Sequence, residues 1–381
     1  MLALTVRSFG RVTDRIAERI VRRALDEADI RIDGSRPFDL RVHDPSFYFR
    51  VLRNSGLQLG ETYMDGLWDC PAIDQFAERM LRSGVAGQHE EDVTFHVRNT
   101  WARLTNRQSR ERATQVATAH YDLDTELYRA MLDETLTYTC AYWRDPSESL
   151  ADAQRNKLDM VCKKLDLRRG ERLLDIGCGF GGLAEHAARH YGATVVGITN
   201  ATQHHEVASA RCADLPVTIE LRDYRDLRSL GTFDKISSIE MIEAVGPKNY
   251  TTYMDAAHAA LKPGGRFLMQ SFISNVSRYV CNEWFDRYIF PNGVSPSFAQ
   301  LNAATKGSFG APADVHDITE HYSPTLMTWD RNLREGWPTL RARNYDTRFR
   351  RMWHFYLTSI AGAFRAKDLR LCQIVYGKGD A

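Results

Sequence analysis

LLDIGCGFGG, residues 173–182, decides how this chain is read. An apolar run carries Asp175, and Gly177, Gly179 and Gly182 follow before the helical stretch GLAEHAARHYG. Glycines at such a strand-to-helix step permit a tight turn and let a ligand approach backbone amides without a Cβ in the way. The G-x-G-x-x-G spacing alone is a weak signal, because dinucleotide sites share it. A dinucleotide site also wants an acid about 20 residues further on for the ribose hydroxyls. Here that region reads GITNATQ and offers none.

Outward from the loop the pattern is regular. ERLLDIG (171–177), ATVVGIT (193–199), PVTIEL (216–221), FDKISSIEM (233–241) and GGRFLMQSF (264–272) alternate with helical stretches. That alternation predicts an α/β fold with a parallel sheet and helices on both faces. LCQIVYGK (371–378) reads as a late edge strand. Upstream, residues 12–30 place Val12, Ile16, Ile20 and Ala24 on one helical face, followed by a small mixed α/β region. WARLTNRQSRERATQ (101–115) is polar and basic and reads as a connecting helix or linker. The division expected is 1–115 for a small N-terminal domain with its linker and 116–381 for the catalytic domain.

Asp175, two residues before the first glycine, is placed as in methyltransferases that bind S-adenosylmethionine. A carboxylate there can orient the loop and face the cationic end of that cofactor. The expected sheet is therefore the Rossmann-like sheet of class I methyltransferases. LRDYRD (221–226) follows the third strand, where Asp223 can accept from an adenine amino group and Tyr224 can pack on the ring.

The chain has 381 residues, 43 % hydrophobic and 26 % charged, with a formal net charge of +1. Nothing in that balance points to nucleic acid. Two stretches are locally basic: 341–351 holds five Arg against one Asp, and 98–112 five Arg against one Glu. Such runs are usually solvated faces; the sharper reading is a patch that meets anionic headgroups. The seven cysteines lack metal-ligand spacing, which argues for a reducing compartment and against a disulfide framework or a zinc site. With no apolar run of the ~18 residues needed to span a bilayer, a cytoplasmic protein touching the inner face of the membrane is expected.

HYDLDTELYRAMLDETLTYTCAYW (120–143), MIEAVGPKNY (241–250), YIFPNG (288–293), HYSPTLMTW (321–329), AGAFRAKDLRLCQIVY (361–376) and GETYMDGLWDC (60–70) together resemble cyclopropane-fatty-acyl-phospholipid synthases. The similarity runs over nearly the whole chain and matches the long two-domain form. It implies methylene transfer from S-adenosylmethionine to the cis double bond of an unsaturated acyl chain in a membrane phospholipid, and by analogy a homodimer. It also implies that Tyr138, Thr139, Thr199 and Gln203 contact the cofactor. Cys140, Glu243 and Tyr322 match residues that hold a bicarbonate ion beside the reacting carbon.

The departures from the family pattern bear on chemistry. Ala244 follows the catalytic Glu where His is usual, Gln270 replaces a bicarbonate-binding His, and Phe272 stands where Ile is frequent. His120, Tyr121, Asp122, Leu123, Asp124 and Thr125 differ in part from H-Y-D-x-G-N, and His204 replaces a usual Gln beside Gln203. Gln270 can donate a hydrogen bond to an anion but cannot carry charge as imidazolium can. A methyl-branched or methylene product, or a non-phospholipid olefin as substrate, is therefore the alternative expectation. An anion beside Glu243 also requires either that Glu243 be protonated or that the two share a proton.

Overall fold

The computed structural model describes residues 2–85, 93–110 and 124–379, with side chains of the first helix described from residue 15. The five runs expected as strands form β3 (Arg172–Ile176), β4 (Thr194–Thr199), β5 (Val217–Leu221), β6 (Phe233–Ile239) and β7 (Leu261–Ser274). Before them β1 (Arg41–Val42) and β2 (Trp68–Asp69) make a small antiparallel pair. After them come β8 (Asp314–Asp317) and β9 (Leu369–Gly377). The large sheet runs β5-β4-β3-β6-β7-β9-β8. β3 to β7 are mutually parallel, and β9 lies antiparallel to both β7 and β8.

The late strand is thus an interior strand and not an edge. Leu371, Cys372, Ile374, Val375 and Tyr376 are all buried, the continuous apolar reading of a strand covered on both faces. The edge is β8, whose polar sequence DVHD carries no strand signal; short polar strands are how sheets close off an edge.

From β3 the chain winds to β4 on one side and later to β6 on the other. The crevice between the carboxyl ends of β3 and β6 is therefore the switch point at which open α/β sheets bind ligands. The glycine loop leaves β3 there, and Glu240 and Glu243 leave β6 there.

The first helix, Leu2–Glu27, is amphipathic, but its buried stripe is Ala17, Val21 and Leu25, one residue from the expected face. Ile16 is 52 % and Ile20 40 % exposed. The helix Ile73–Arg82 packs against Thr347–Ala366. Gly362 allows the approach, since a Cβ there would lie 2.4 Å from the Asp74 carbonyl. Arg365 pairs with Asp74 at 2.7 Å and Glu78 at 2.8 Å across the same contact. One apolar cluster runs from Phe47, Trp68 and Phe76 through Trp284 to Trp329, Phe355 and Phe364, so the N-terminal elements share a core with the catalytic part.

The expected connecting segment is helical over Val93–Leu104. The boundary expected at 115–116 and the positions His120, Tyr121, Asp122 and Leu123 lie outside the described residues. Several arginines of the basic stretches tie elements of the chain together. Arg348 reaches Asp65, and Arg351 binds Asp69 and the Tyr63 and Trp68 carbonyls. Arg98 and Arg107 both pair with Asp286 at 2.8 Å. No described helix is long and apolar enough to cross a membrane.

Candidate active site

The loop after β3 forms one wall of a cavity of about 710 Å³. Gly179 has φ +50° and faces open space: a Cβ there would meet no protein atom within 4 Å. Gly182 opens the next helix, where a Cβ would lie 2.8 Å from Thr137 Oγ1. That close fit seats the segment Thr135–Cys140 on the loop, so Thr137, Tyr138 and Thr139 line the cavity opposite the glycines. Asp175 lies buried at the base, accepting from Ser237 Oγ at 2.9 Å. Burial pushes its carboxyl up to about 6.

Farther along the sheet, Thr199, Asp223 and Tyr224 line the same cavity. Asp223 caps the turn Tyr224–Leu230 and binds the Arg225 guanidinium at 2.9 Å. Arg225 also covers one face of Tyr224, at 4.4 Å from the ring centre. Of the pair after β4, His204 lines the cavity and Gln203 does not; Gln203 instead takes a hydrogen bond from Thr125 at 3.4 Å. Tyr138 lines the wall with its hydroxyl 2.9 Å from that of Tyr356, and Thr139 accepts from the buried Lys157 ammonium at 2.7 Å.

Cys140, Tyr322 and Gln270 do meet, but around Glu240 and not around Glu243. The Cys140 amide donates to Glu240 Oε1 at 3.0 Å. Gln270 Nε2 donates to the same oxygen at 2.7 Å, and the Tyr322 hydroxyl donates to Oε2 at 2.7 Å. Gln270 is itself held by Gln373, whose Nε2 donates to its Oε1 at 3.0 Å. The Cys140 thiol is turned away: it is fully buried, outside the cavity lining, and contacts its own neighbour's carbonyl. Gln270 also stays behind the wall, whereas Glu240, Glu243 and Tyr322 reach the cavity.

Glu243 is anchored at Oε1 by Ser271 Oγ (2.9 Å) and the Phe272 amide (2.7 Å). Its buried Oε2 has no hydrogen-bond partner among the described residues. Burial, with the charge of Glu240 next in favour, pushes its carboxyl up to about 7. Burial raises Glu240 too, but three hydrogen bonds and the nearby Lys157 charge oppose the rise. Two environments so different separate two acids: three donors favour the charged form of Glu240, and Glu243 is the one that more readily holds a proton.

Glu240 and Lys157 were absent from the sequence expectations. Glu240 carried one legible signal, an acid at the carboxyl end of β6 beside the switch point. Its φ of +52° is a backbone cost that only the structure reveals. Lys157 gave none, being a Lys in an ordinary amphipathic helix.

The family model for mycolic acid cyclopropane synthetase matches residues 108–374. A cyclopropane-fatty-acyl-phospholipid synthase of Escherichia coli is 44 % identical over 361 residues, covering 95 % of this chain and 93 % of its own. The chain belongs to the mycolic acid cyclopropane synthetase family. A tuberculostearic acid methyltransferase of Mycobacterium tuberculosis is 30 % identical, covering 94 % of this chain and 90 % of its own. The solved mycolic acid cyclopropane synthase CmaA1, complexed with SAH and CTAB, superposes with a TM-score of 0.65 at 26 % identity, covering 70 % of this chain and 98 % of its own. The sheet is that of the class I methyltransferases.

As a cyclopropane synthetase family member, the chain must cradle S-adenosylmethionine, and the cavity fits that group. Gly179 leaves free the volume a side chain would fill. The carboxylate of Glu240 on the same wall offers a cationic sulfonium a negative neighbour. Bicarbonate fits less well, because the donors expected to hold it are spent on Glu240.

Proposed function

We propose that this protein transfers a methylene group from S-adenosylmethionine to the cis double bond of unsaturated acyl chains in membrane phospholipid, forming cyclopropane rings. The observation that carries this reading is the continuity of the cavity. From the glycine cradle it passes Glu240 and Glu243 and extends between Phe47, Val51, Leu59 and Leu25 to Ile20 and Leu52 at the surface. Burying a methylene is worth about 0.8 kcal/mol, so an acyl chain can drive its own passage into such a channel.

The bound cofactor supplies an electrophilic methyl group on a cationic sulfur. In this proposal Thr137, Tyr138 and Thr139 face its methionyl part, Gly177 and Gly179 admit its body, and Asp223 and Tyr224 meet its base. Attack by the alkene leaves a cationic carbon on the acyl chain. Phe272 and Tyr322, with ring centres 5.3 Å apart on the cavity wall, offer aromatic faces to it; such faces favour cations by roughly 0.5–2 kcal/mol.

Membrane contact follows from the same channel. Ile16 and Phe49, both about half exposed, stand one turn from Ile20 and Leu52 and widen an apolar rim. This rim on the N-terminal elements is the surface proposed to meet lipid at the cytoplasmic face.

One experiment tests both parts: cis-unsaturated phospholipid, as vesicles or dispersed in detergent, incubated with protein and cofactor. The acyl chains should gain one CH₂ as a ring, seen by mass and upfield ring-proton resonances. An Ile16→Asp/Phe49→Asp variant should slow about fivefold or more on vesicles and less than about twofold in detergent. Chains left unchanged reject the function, and methyl-branched chains establish the alternative product. Equal loss on both lipid forms rejects the membrane-facing rim.

A further inference from the structure

Three of the four groups expected to bind an external anion, Cys140, Gln270 and Tyr322, already bind one, and it is covalently part of the chain. Glu240 sits at the end of β6 with its carboxylate on the cavity wall. Its Oε1 accepts from the Cys140 amide at 3.0 Å and Gln270 Nε2 at 2.7 Å, and its Oε2 from the Tyr322 hydroxyl at 2.7 Å. We infer that Glu240 is the base that closes the ring, a tethered carboxylate standing where bicarbonate was expected. The inference rests on the cyclopropanation reading and deepens it.

Three features converge on this role. First, the residue adopts φ +52°, a left-handed conformation that favours glycine. A Glu kept there at a conformational cost marks a site where the side chain is needed. Second, the expected His is Gln270, and the change suits the occupant. A neutral amide donor satisfies a carboxylate that already feels the charge of the buried Lys157, whereas an imidazolium would add a second buried cation. Gln373 fixes the orientation of Gln270 so that its NH₂ faces Glu240. Third, Glu243 lies on the same wall but its Oε2 has no donor among the described residues, whereas Glu240 accepts from three, so the negative charge is better held on Glu240.

The step balances without another reactant. In the methylated acyl cation a C–H bond of the new methyl group breaks, and its proton goes to a Glu240 oxygen. The electron pair of that bond forms the second C–C bond to the cationic carbon, which closes the ring. Glu240 leaves the step as a neutral acid and returns its proton to water once the product has gone.

The test compares wild type, Glu240→Gly and Glu240→Gln in carbon dioxide-depleted buffer, with and without added bicarbonate. Wild-type ring formation should change by less than about twofold with bicarbonate, whereas Glu240→Gly should lose roughly 10²–10⁴-fold without it, the range for a general base. Glycine suits the backbone and empties the site while leaving its donors in place, so bicarbonate should restore about tenfold or more of the lost rate. Glu240→Gln, which keeps the volume and removes the base, should stay inactive in both buffers. Independently of turnover, bicarbonate should raise the melting temperature of Glu240→Gly and leave wild type unmoved, because only a ligand with a free site stabilises the folded state. Wild-type dependence on bicarbonate, full activity of Glu240→Gly without it, or equal thermal shifts in both proteins overturns the inference. If wild type makes no ring at all, the cyclopropanation reading fails, while the thermal comparison still decides whether Glu240 fills the anion site.

Discussion

Glu243→Ala should lower turnover by roughly 10²–10³-fold, the loss typical of removing one polar group from a buried reacting site, with cofactor affinity nearly unchanged. Ser271 and the Phe272 amide fix one oxygen of Glu243, and the other is buried without a hydrogen-bond partner among the described residues. A carboxyl pushed up to about 7 keeps its proton in about half of the molecules at neutral pH, and that form can donate a hydrogen bond. Glutamine keeps a donor at the same place, so Glu243→Gln should retain activity within about tenfold of wild type. Stability should move the other way. The folded state keeps the Glu243 proton up to about pH 7, while the unfolded chain releases it near 4.5. Wild type therefore loses stability as pH rises through that window and stays lower above it. Glu243→Gln escapes the loss and should be more stable at pH 8 by about 1–3 kcal/mol, and equal to wild type below pH 4. Near-normal turnover of Glu243→Ala with cofactor bound would show that this carboxyl is structural only.

Gly179→Val should weaken binding of S-adenosylhomocysteine by about 10²-fold or more in a calorimetric titration. Two effects add. The backbone there has φ +50°, where a β-branched residue is strained, and the side chain would project into space that holds no protein atom within 4 Å. The cavity contributes no packing that valine would disrupt, so thermal stability without ligand should fall only by the backbone cost, about 1–3 kcal/mol. Unchanged affinity would place the cofactor elsewhere.

Much of this architecture was legible because its signals are local. Five apolar runs spaced by helices of matching length leave few alternatives to a parallel sheet, and glycines after the first run mark the cradle. Errors arose where tertiary packing chooses between locally equivalent options. The first helix buries Ala17, Val21 and Leu25 and leaves Ile16 and Ile20 exposed, because packing and not propensity sets its rotation. β9 looked like an edge because β8 is too short and polar to announce itself. In the active site the resemblance brought the correct neighbours together but put the wrong carboxyl at their centre. Nothing in the linear pattern says that Cys140 offers its amide and not its thiol, or that Gln270 turns toward Glu240. The second is set by β6 and β7 lying in register, Ile239 opposite Gln270.

The central claim is that one cavity holds the methyl donor and the acyl chain, with Glu240 at their meeting point. A crystal structure with S-adenosylhomocysteine and a long-chain amphiphile tests it most directly. The sulfur should lie against residues 177–182 and point toward Glu240, with the chain running past Phe272 to Ile20 and Leu52. A cofactor seated away from the glycine loop, a chain bound outside the channel, or a separate anion held by Tyr322 and Gln270 with Glu240 swung aside would contradict it.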